Sequence, residues 1–558
     1  MNNLNVSLVL SNISNLLKIK GENKYKVAAY EKASKVIKDL EADIKCLVDK
    51  EEVDSLPGIG ESLAEKISEI VLMGSCNCYQ KLTDEYPVSL ITLLDVSGLG
   101  FSKVRKIYKE LGIDNLSDLK AEAESGQLSQ LSGIGSKTEE KILEGVNRLL
   151  KNRGKVDLGF ATELARGVMD YLSQLKSVSK VKIAGQIRRK LEVVTEIILV
   201  VASDNFPEVF AEIKELAFFE LQEQESGEVL LIAESGPTVR IVLASEEEFD
   251  LKLFEWTGTR KYNQQLKKLI NFSKLKEIIA QFQSEAEIFK LGGFPYIIPE
   301  LRDDLGSLEQ AQQNNLPDSV ELDAIKGDLH MHSQWSDGRY TIEEMTKACQ
   351  QRGYQYLAIC DHSKSLQVAN GLSVERLKRQ AEEIDRLNQK LEITVLKGIE
   401  VDVLEDGLDY DNQVLEELDL VVASIHRKYN NSSTTIMERI FRALENPYVD
   451  ILGHPTGRLV LKRLPYGVEM ERLIKKAVET NTILEINSAP KRLDLNAEHA
   501  KLAKRLGAKV VINTDAHHVR QLDNLEYGVG IARKGWLESK DVVNTFNLQE
   551  LKEILKVK

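Results

Sequence analysis

Gly327-Asp-Leu-His-Met-His-Ser-Gln-Trp-Ser-Asp-Gly338 alternates apolar and polar residues and carries two histidines one residue apart, with an aspartate five positions later. On a strand, residues i and i+2 face the same side, so His330 and His332 can grip one ion together. Asp337, on the turn beyond, is free to reach a second ion. A pair of surface histidines at a strand end would look the same in isolation, so the surrounding sequence decides the reading.

Downstream, a rhythm of apolar run followed by a polar residue continues. Tyr356-Leu-Ala-Ile-Cys leads to Asp361-His362, Ile393–Ile399 to Glu400, and Leu418–Ile425 to His426. Val449-Asp-Ile-Leu-Gly leads to His454, Thr482-Ile-Leu to Glu485-Ile-Asn487, and Lys509–Thr514 to Asp515-Ala-His517. Helix-period segments separate these runs: Thr341–Arg352, Ser373–Leu391, Thr434–Glu445, Val468–Thr480 and Ala497–Leu506. Strands alternating with helices imply parallel β-α units, and the opening strand brings their number to seven. The expectation is a distorted (β/α)7 barrel, whose strand C-termini meet at one mouth. Six of the eight histidines fall on those ends. His499, inside a helical segment, and His518, after His517, are read as bystanders.

Ahead of the barrel the chain changes character. From Leu4 to Leu150 it reads as short amphipathic helices, and one design occurs three times: Leu56-Pro-Gly-Ile-Gly60 before a helix at Glu61–Val71, Val96-Ser-Gly-Leu-Gly100 before Lys103–Leu111, and Leu131-Ser-Gly-Ile-Gly135 before Thr138–Leu149. The glycines Gly58, Gly60, Gly98, Gly100, Gly133 and Gly135 allow a tight turn. The turn exposes amide N–H groups at a helix N-terminus, where a DNA phosphate can sit. This resembles the helix-hairpin-helix motif, which holds the DNA backbone without reading bases.

Composition bounds the rest. A chain of 558 residues implies three or four domains, and 42% hydrophobic with 29% charged residues describes a soluble protein. No apolar run approaches the ~20 residues of a membrane helix, so no membrane partner is expected. The N-terminus shows no signal-peptide pattern. Five scattered cysteines, with Cys76-Asn-Cys78 wrongly spaced for a zinc or redox CxxC motif, indicate a reducing, cytoplasmic setting without disulfides. The net charge of −13 makes any nucleic-acid contact a matter of local patches.

Between these regions lie Val181–Val200, containing Ala184-Gly-Gln-Ile-Arg-Arg189, a strand-like Pro237–Leu243, and Trp256-Thr-Gly-Thr-Arg-Lys-Tyr-Asn263. With Ile19-Lys-Gly-Glu-Asn23 upstream and Ile298-Pro-Glu-Leu-Arg302 downstream, these motifs resemble the bacterial family X DNA polymerases. The resemblance implies an α/β palm and thumb whose three catalytic aspartates hold two ions for nucleotide transfer. Those positions here read Glu196, Ile198 and Arg240, and the family's phosphate-contacting serine reads Gln186. The polymerase site is therefore expected to be degenerate, with Arg188, Arg189, Arg260 and Lys261 left as binding surface.

The C-terminal region resembles the polymerase-and-histidinol-phosphatase (PHP) family, as it occurs at the C-terminus of bacterial family X polymerases. The resemblance implies three divalent ions, zinc or manganese. His330 and His332 with Glu400 and Asp515 would hold one ion and a metal-activated catalytic water. Asp337, His362 and a bridging Glu400 would hold the second, and His426, His454 and His517 the third. Lys364, Arg458 and Arg492, each just past a ligand, are candidate phosphate contacts.

The expected organisation is a helix-hairpin-helix region at 1–150, a degenerate palm and thumb at 151–305, a linker at 306–326 and the PHP domain at 327–558. The expected function is a DNA-repair 3′-5′ exonuclease or 3′-end phosphoesterase acting on gapped, nicked or 3′-ended DNA, with no protein partner identifiable. The alternatives are an active polymerase/exonuclease, a small-molecule phosphatase and a DNA-end scaffold without catalysis.

Overall fold

The computed structural model describes residues 3–38, 40, 42–213, 220–224, 227–232, 236–270, 284–303, 305–429 and 431–555. The chain forms two compact units, Met1–Arg153 and Gly154–Lys558. No helix among the described residues is long and apolar enough to cross a membrane.

The first unit is helical throughout. In its three glycine turns the first glycine takes a left-handed φ, +82° at Gly58, +92° at Gly98 and +87° at Gly133, a conformation that costs other residues steric strain. The apolar residue between the glycines (Ile59, Leu99 or Ile134) is buried in the helical core, which anchors the turn. The helices that follow are Glu61–Met73, Phe101–Leu111 and Ser136–Lys151. The last two start two residues earlier than periodicity alone suggests. The carbonyl of the second glycine already accepts the first helical hydrogen bonds, as Gly100 does from Lys103 and Val104.

The second unit opens with a mixed α/β region. Five strands order as Lys180–Ala184, Glu196–Ala202, Thr238–Ala244, Glu228–Ile232 and Glu220–Gln224. Glu196–Ala202 runs parallel to Thr238–Ala244 in a register that sets Ile198 opposite Arg240. Buried Arg302 donates to Glu285 at 2.6 Å and to the Ile297 carbonyl, and Arg188 also reaches Glu285. This buried carboxylate pairs with two guanidinium groups.

Seven parallel strands then follow one another in chain order: Gly327–Met331, Tyr356–Ile359, Thr394–Asp402, Leu420–Ser424, Ile451–Leu452, Ile483–Asn487 and Val510–Asn513. Helices such as Ile342–Gln351, Val374–Asn388 and Ser433–Leu444 return the chain between them. The first begins with a Thr341–Glu344 capping box. The last strand comes back beside the first. The Asp515 amide donates to the His330 carbonyl and the His332 amide to that of Ala516, so the barrel nearly closes.

The linker expected at 306–326 is partly ordered by secondary structure. Helix Leu305–Gln312 runs into it, with Leu308 and Ala311 buried three residues apart, and a short 3-10 turn forms at Leu322–Ala324. The Val320 amide donates to the Leu537 carbonyl and ties the segment to the barrel. Its polar composition hid two apolar positions at helical spacing.

Candidate metal centre

The strand ends bring the expected side chains to one mouth, and Glu400 stands at their middle. Its carboxylate lies 3.6 Å from His330 Nε2, 3.7 Å from His332 Nε2, 2.8 Å from His362 Nδ1, 3.2 Å from His426 Nε2 and 3.1 Å from His454 Nε2. Five imidazoles from four segments of chain thus face one carboxylate that is 1% exposed. Asp515 lies 3.0 Å from His332 Nε2, and Asp337 lies 3.5 Å from His362 and 3.3 Å from His517.

Three sets of ligand atoms cluster within 4.8 Å of one another: His332, Asp337, His362 and His517; His330, His332 and Glu400; and His362, Glu400 and His426. The grouping departs from expectation: Asp337 clusters with His332, His362 and His517 and not with Glu400, which joins His362 to His426, and His454 falls in none of the three sets. His517 sits with Asp337 and stacks on His332, with ring centroids 4.1 Å apart, instead of joining His426 and His454. Barrel closure causes this, because the last strand delivers His517 beside the first.

The electrostatics match a cation site. Burial works against the Glu400 charge, yet His426, His362 and His330 hold its carboxyl well below the usual range, and Asp515 behaves alike. Burial and the nearby His517 and His362 push His332 down to about 3, which leaves a neutral imidazole with a free lone pair. His330 Nε2 is buried with no hydrogen-bond partner, and His362 Nδ1 and Glu400 Oε2, 2.8 Å apart, are buried without an aligned one. Such atoms cost free energy unless something coordinates them. Imidazole and carboxylate donors around shared bridging residues fit zinc or manganese. His454 and Asp515 also hold positive φ, +28° and +54°, the kind of local strain that surrounding structure maintains at functional sites.

A second layer fixes the ligands, and the sequence reading missed part of it. Asp402 accepts from His426 Nδ1 at 2.7 Å and from Ser365, and Glu485 accepts from His330 Nδ1 at 2.7 Å. Such partners set the tautomer and aim the opposite nitrogen. Buried Asp361 collects hydrogen bonds from Ser333, Ser336 and Gln380, and Asn487 donates to Asp515. The available signal was period two: Asp402 follows Glu400 by two on the same strand.

The three candidate phosphate contacts separate. Arg492 Nε lies 3.5 Å from Asp515, at the ligand cluster. Exposed Lys364 stands beyond His362, its ammonium 5.6 Å from the Tyr410 ring. Arg458 corrects its expectation: it donates to Glu192 at 2.7 Å and to the carbonyls of Arg492 and Leu493, which engages the guanidinium away from the ligands. Neither His499, in helix Ala497–Leu506, nor His518, whose ring lies beside Tyr340, belongs to the three ligand sets.

In the mixed α/β region, Arg240 pairs with Glu196 at 2.7 Å and with Glu228 at 2.5 Å, and lies over the Trp256 ring. Burial opposes its charge, and the two glutamates more than offset that. Ile198 packs against Gly185, and Gln186 accepts from the amides of Thr195 and Glu196. Gln186, Glu196, Ile198, Glu228 and Trp256 line a cleft of about 720 Å³ together with Arg260 and Asn263. Glu228 was not legible as a partner, because pairing across strands brings it to Arg240.

Metal removal has a defined expected outcome. His426, pushed up to about 10, and His517, pushed up to about 9, carry protons near pH 7 when the acids around them lack a cation; in both, burial opposes the charge and the facing carboxylates outweigh it. Those protons must leave when a cation binds, so affinity weakens as pH falls. Adding Mn²⁺ or Zn²⁺ to chelator-treated protein is expected to release protons and raise the melting temperature. At 100 times the dissociation constant, one site adds about 2.7 kcal/mol. Calorimetry in buffers of different ionisation enthalpy reads the protons, and the absence of both effects contradicts the site.

Comparison with known proteins adds to this geometry. Residues 328–489 match the PHP domain, residues 1–76 a helix-hairpin-helix domain, and residues 90–148 a SAM-like helix-hairpin-helix tandem. The chain is 39% identical over 573 aligned positions to the DNA polymerase/3′-5′ exonuclease PolX of Bacillus subtilis, with 100% of both chains covered. It is 30% identical over 244 positions to a probable phosphatase of Thermoanaerobacter sp. (strain X514), covering 41% of this chain and 94% of that one. A probable phosphatase of Clostridium acetobutylicum is 29% identical over 205 positions, 34% of this chain and 78% of its own.

Proposed function

The chain belongs to the PolX family, and we propose that it is a DNA-repair enzyme whose barrel is a metal-dependent 3′-5′ exonuclease or 3′-end phosphoesterase, with a polymerase core that no longer transfers nucleotides. The observation that carries the reading is Glu400, a buried carboxylate faced by five histidines at the barrel mouth. His332, Asp337, His362 and His517 would hold one divalent cation. His330, His332 and Glu400, with Asp515 beside them, would hold a second, and His362, Glu400 and His426, with His454, a third. Bound there, such cations lower the pKa of a water toward ~7 and neutralise phosphoryl oxygens.

The chain's own groups supply the rest. Asp402 and Glu485 keep His426 and His330 in one tautomer. Arg492, with a guanidinium at the ligand cluster, serves as the phosphate contact, and Lys364 offers a second cation at the rim. The glycine turns of the helical unit present backbone amides to the DNA backbone, a sequence-independent hold suited to gaps, nicks and 3′ ends. In the α/β region, Arg240 fills the place where a polymerase of this kind binds cations, and the retained cleft then holds DNA without chemistry.

A second reading, a phosphatase of small monoesters, is favoured by one fact: two relatives matched over 41% and 34% of the chain are named probable phosphatases. Competition separates the two. With Mn²⁺, release of nucleotides from a duplex 3′ end is expected to exceed hydrolysis of p-nitrophenyl phosphate in kcat/KM by orders of magnitude. The reverse ranking overturns the nuclease reading.

A further inference from the structure

The polymerase-like region reaches the loop that carries Arg492 in two ways, through Arg458 and directly at Pro490. Arg458, on the segment after His454, donates through one guanidinium nitrogen to Glu192 at 2.7 Å, across a sequence separation of 266 residues. Its other nitrogens donate to the carbonyls of Arg492, at 2.9 Å, and Leu493. Leu493 has φ of +45°, a left-handed conformation that a leucine keeps only when its surroundings hold it there. The Glu192 carbonyl is itself fixed by the amide of Leu158, at the start of helix Leu158–Ser173. One residue further along that helix, Gly159 lies so close to Pro490 that a Cβ would come within 2.6 Å of its ring.

We propose that Glu192 is a positioning residue for the barrel: through Arg458 it fixes the main chain of Arg492 and Leu493, and so the place of the Arg492 guanidinium beside Asp515. The inference rests on the metal-centre reading above, in which Arg492 meets the substrate phosphate. Three facts support it together. Glu192 forms an ion pair with the Arg458 guanidinium, the two Arg458 carbonyl contacts are adjacent on the Arg492 loop, and Arg492 ends 3.5 Å from Asp515. A half-buried guanidinium stripped of its carboxylate turns to other acceptors, and the loop loses its fixed point. The α/β region would thereby still act on the reaction after losing its own, as the support for the phosphate-binding loop.

The test is a double-mutant cycle on the full chain, reading kcat and KM for release from a 5′-labelled duplex with Mn²⁺. Glu192→Gln is expected to lower kcat/KM on the order of tenfold, the lower end of what losing a partner behind a site residue costs. Arg492→Gln is expected to lower it at least as much, and the double variant to match Arg492→Gln alone, because both act through one path. Glu192→Asp, which keeps the charge, is expected to recover most of the loss, and Arg458→Gln, which removes the middle of the path, carries the same cycle if the Glu192 amide prevents folding. Losses that multiply in the double variant overturn the inference, since a general loss of stability behaves that way. Wild-type kcat/KM in Glu192→Gln beside an inactive Glu400→Gln sinks this inference alone. An undiminished rate in Glu400→Gln sinks the metal reading and this inference with it.

Discussion

Glu400→Gln is expected to stop release of nucleotides from DNA 3′ ends and to remove at least two divalent ions per chain. The amide keeps the size of the side chain and loses the charge that five imidazoles face. Glu400 belongs to two of the three ligand clusters, so no neighbour can replace it by a local shift. Losing a partner behind a ligand costs roughly 10–100-fold in metal affinity or activity, and losing a shared ligand costs more. Asp402→Asn supplies the internal scale. It leaves every member of the three clusters in place and removes only the negative charge behind His426, so its loss is expected to stay inside that range. Elemental analysis of dialysed protein and end-labelled gels read both effects. Equal losses in the two variants contradict the role given to Glu400.

The second large effect concerns synthesis. Template-directed incorporation of nucleotides by the intact chain is expected to stay at background with Mg²⁺, and Arg240→Asp alone is expected to leave it there. A unit charge at ~4 Å from a like charge costs about 4 kcal/mol at an effective dielectric of 20, and a divalent ion facing a guanidinium meets more than that. Arg240 is held in place by Glu196, Glu228 and the face of Trp256, so the region cannot simply move it aside. Removing it uncovers Glu196 and still leaves Ile198, a hydrocarbon, directly opposite in the sheet register. Primer extension with a gapped template reads the result, and Mg²⁺-supported extension by the intact chain overturns the degenerate reading.

Much of the barrel was legible because each ligand follows an apolar run directly, and period two or a strand end then fixes its direction. His330, His332, Glu400 and His454 are of that kind. What escaped depends on contacts between distant segments. That His517 lies beside Asp337 and His332 could not be read, because its neighbours are set by closure of the barrel, which brings the Val510–Asn513 strand back beside Gly327–Met331. Arg458 looked like a phosphate contact by its place after His454, and only the fold reveals Glu192 opposite it. Asp402 was hidden as one more alternate residue on a strand. In the helical unit the turns could be read and the helix starts could not, because two helices begin at the glycine carbonyl ahead of the apolar period.

The most direct test of the barrel as the seat of the chemistry uses a 5′-labelled duplex, Mn²⁺ and no nucleotides, with wild type and His332→Ala resolved side by side on a sequencing gel. His332 belongs to two of the three ligand clusters and is fully buried, so its loss cannot be covered by solvent. The account predicts a ladder shortening from the 3′ end one nucleotide at a time in wild type, and an intact band in the variant. An intact band in wild type, or the same ladder in both, would contradict it.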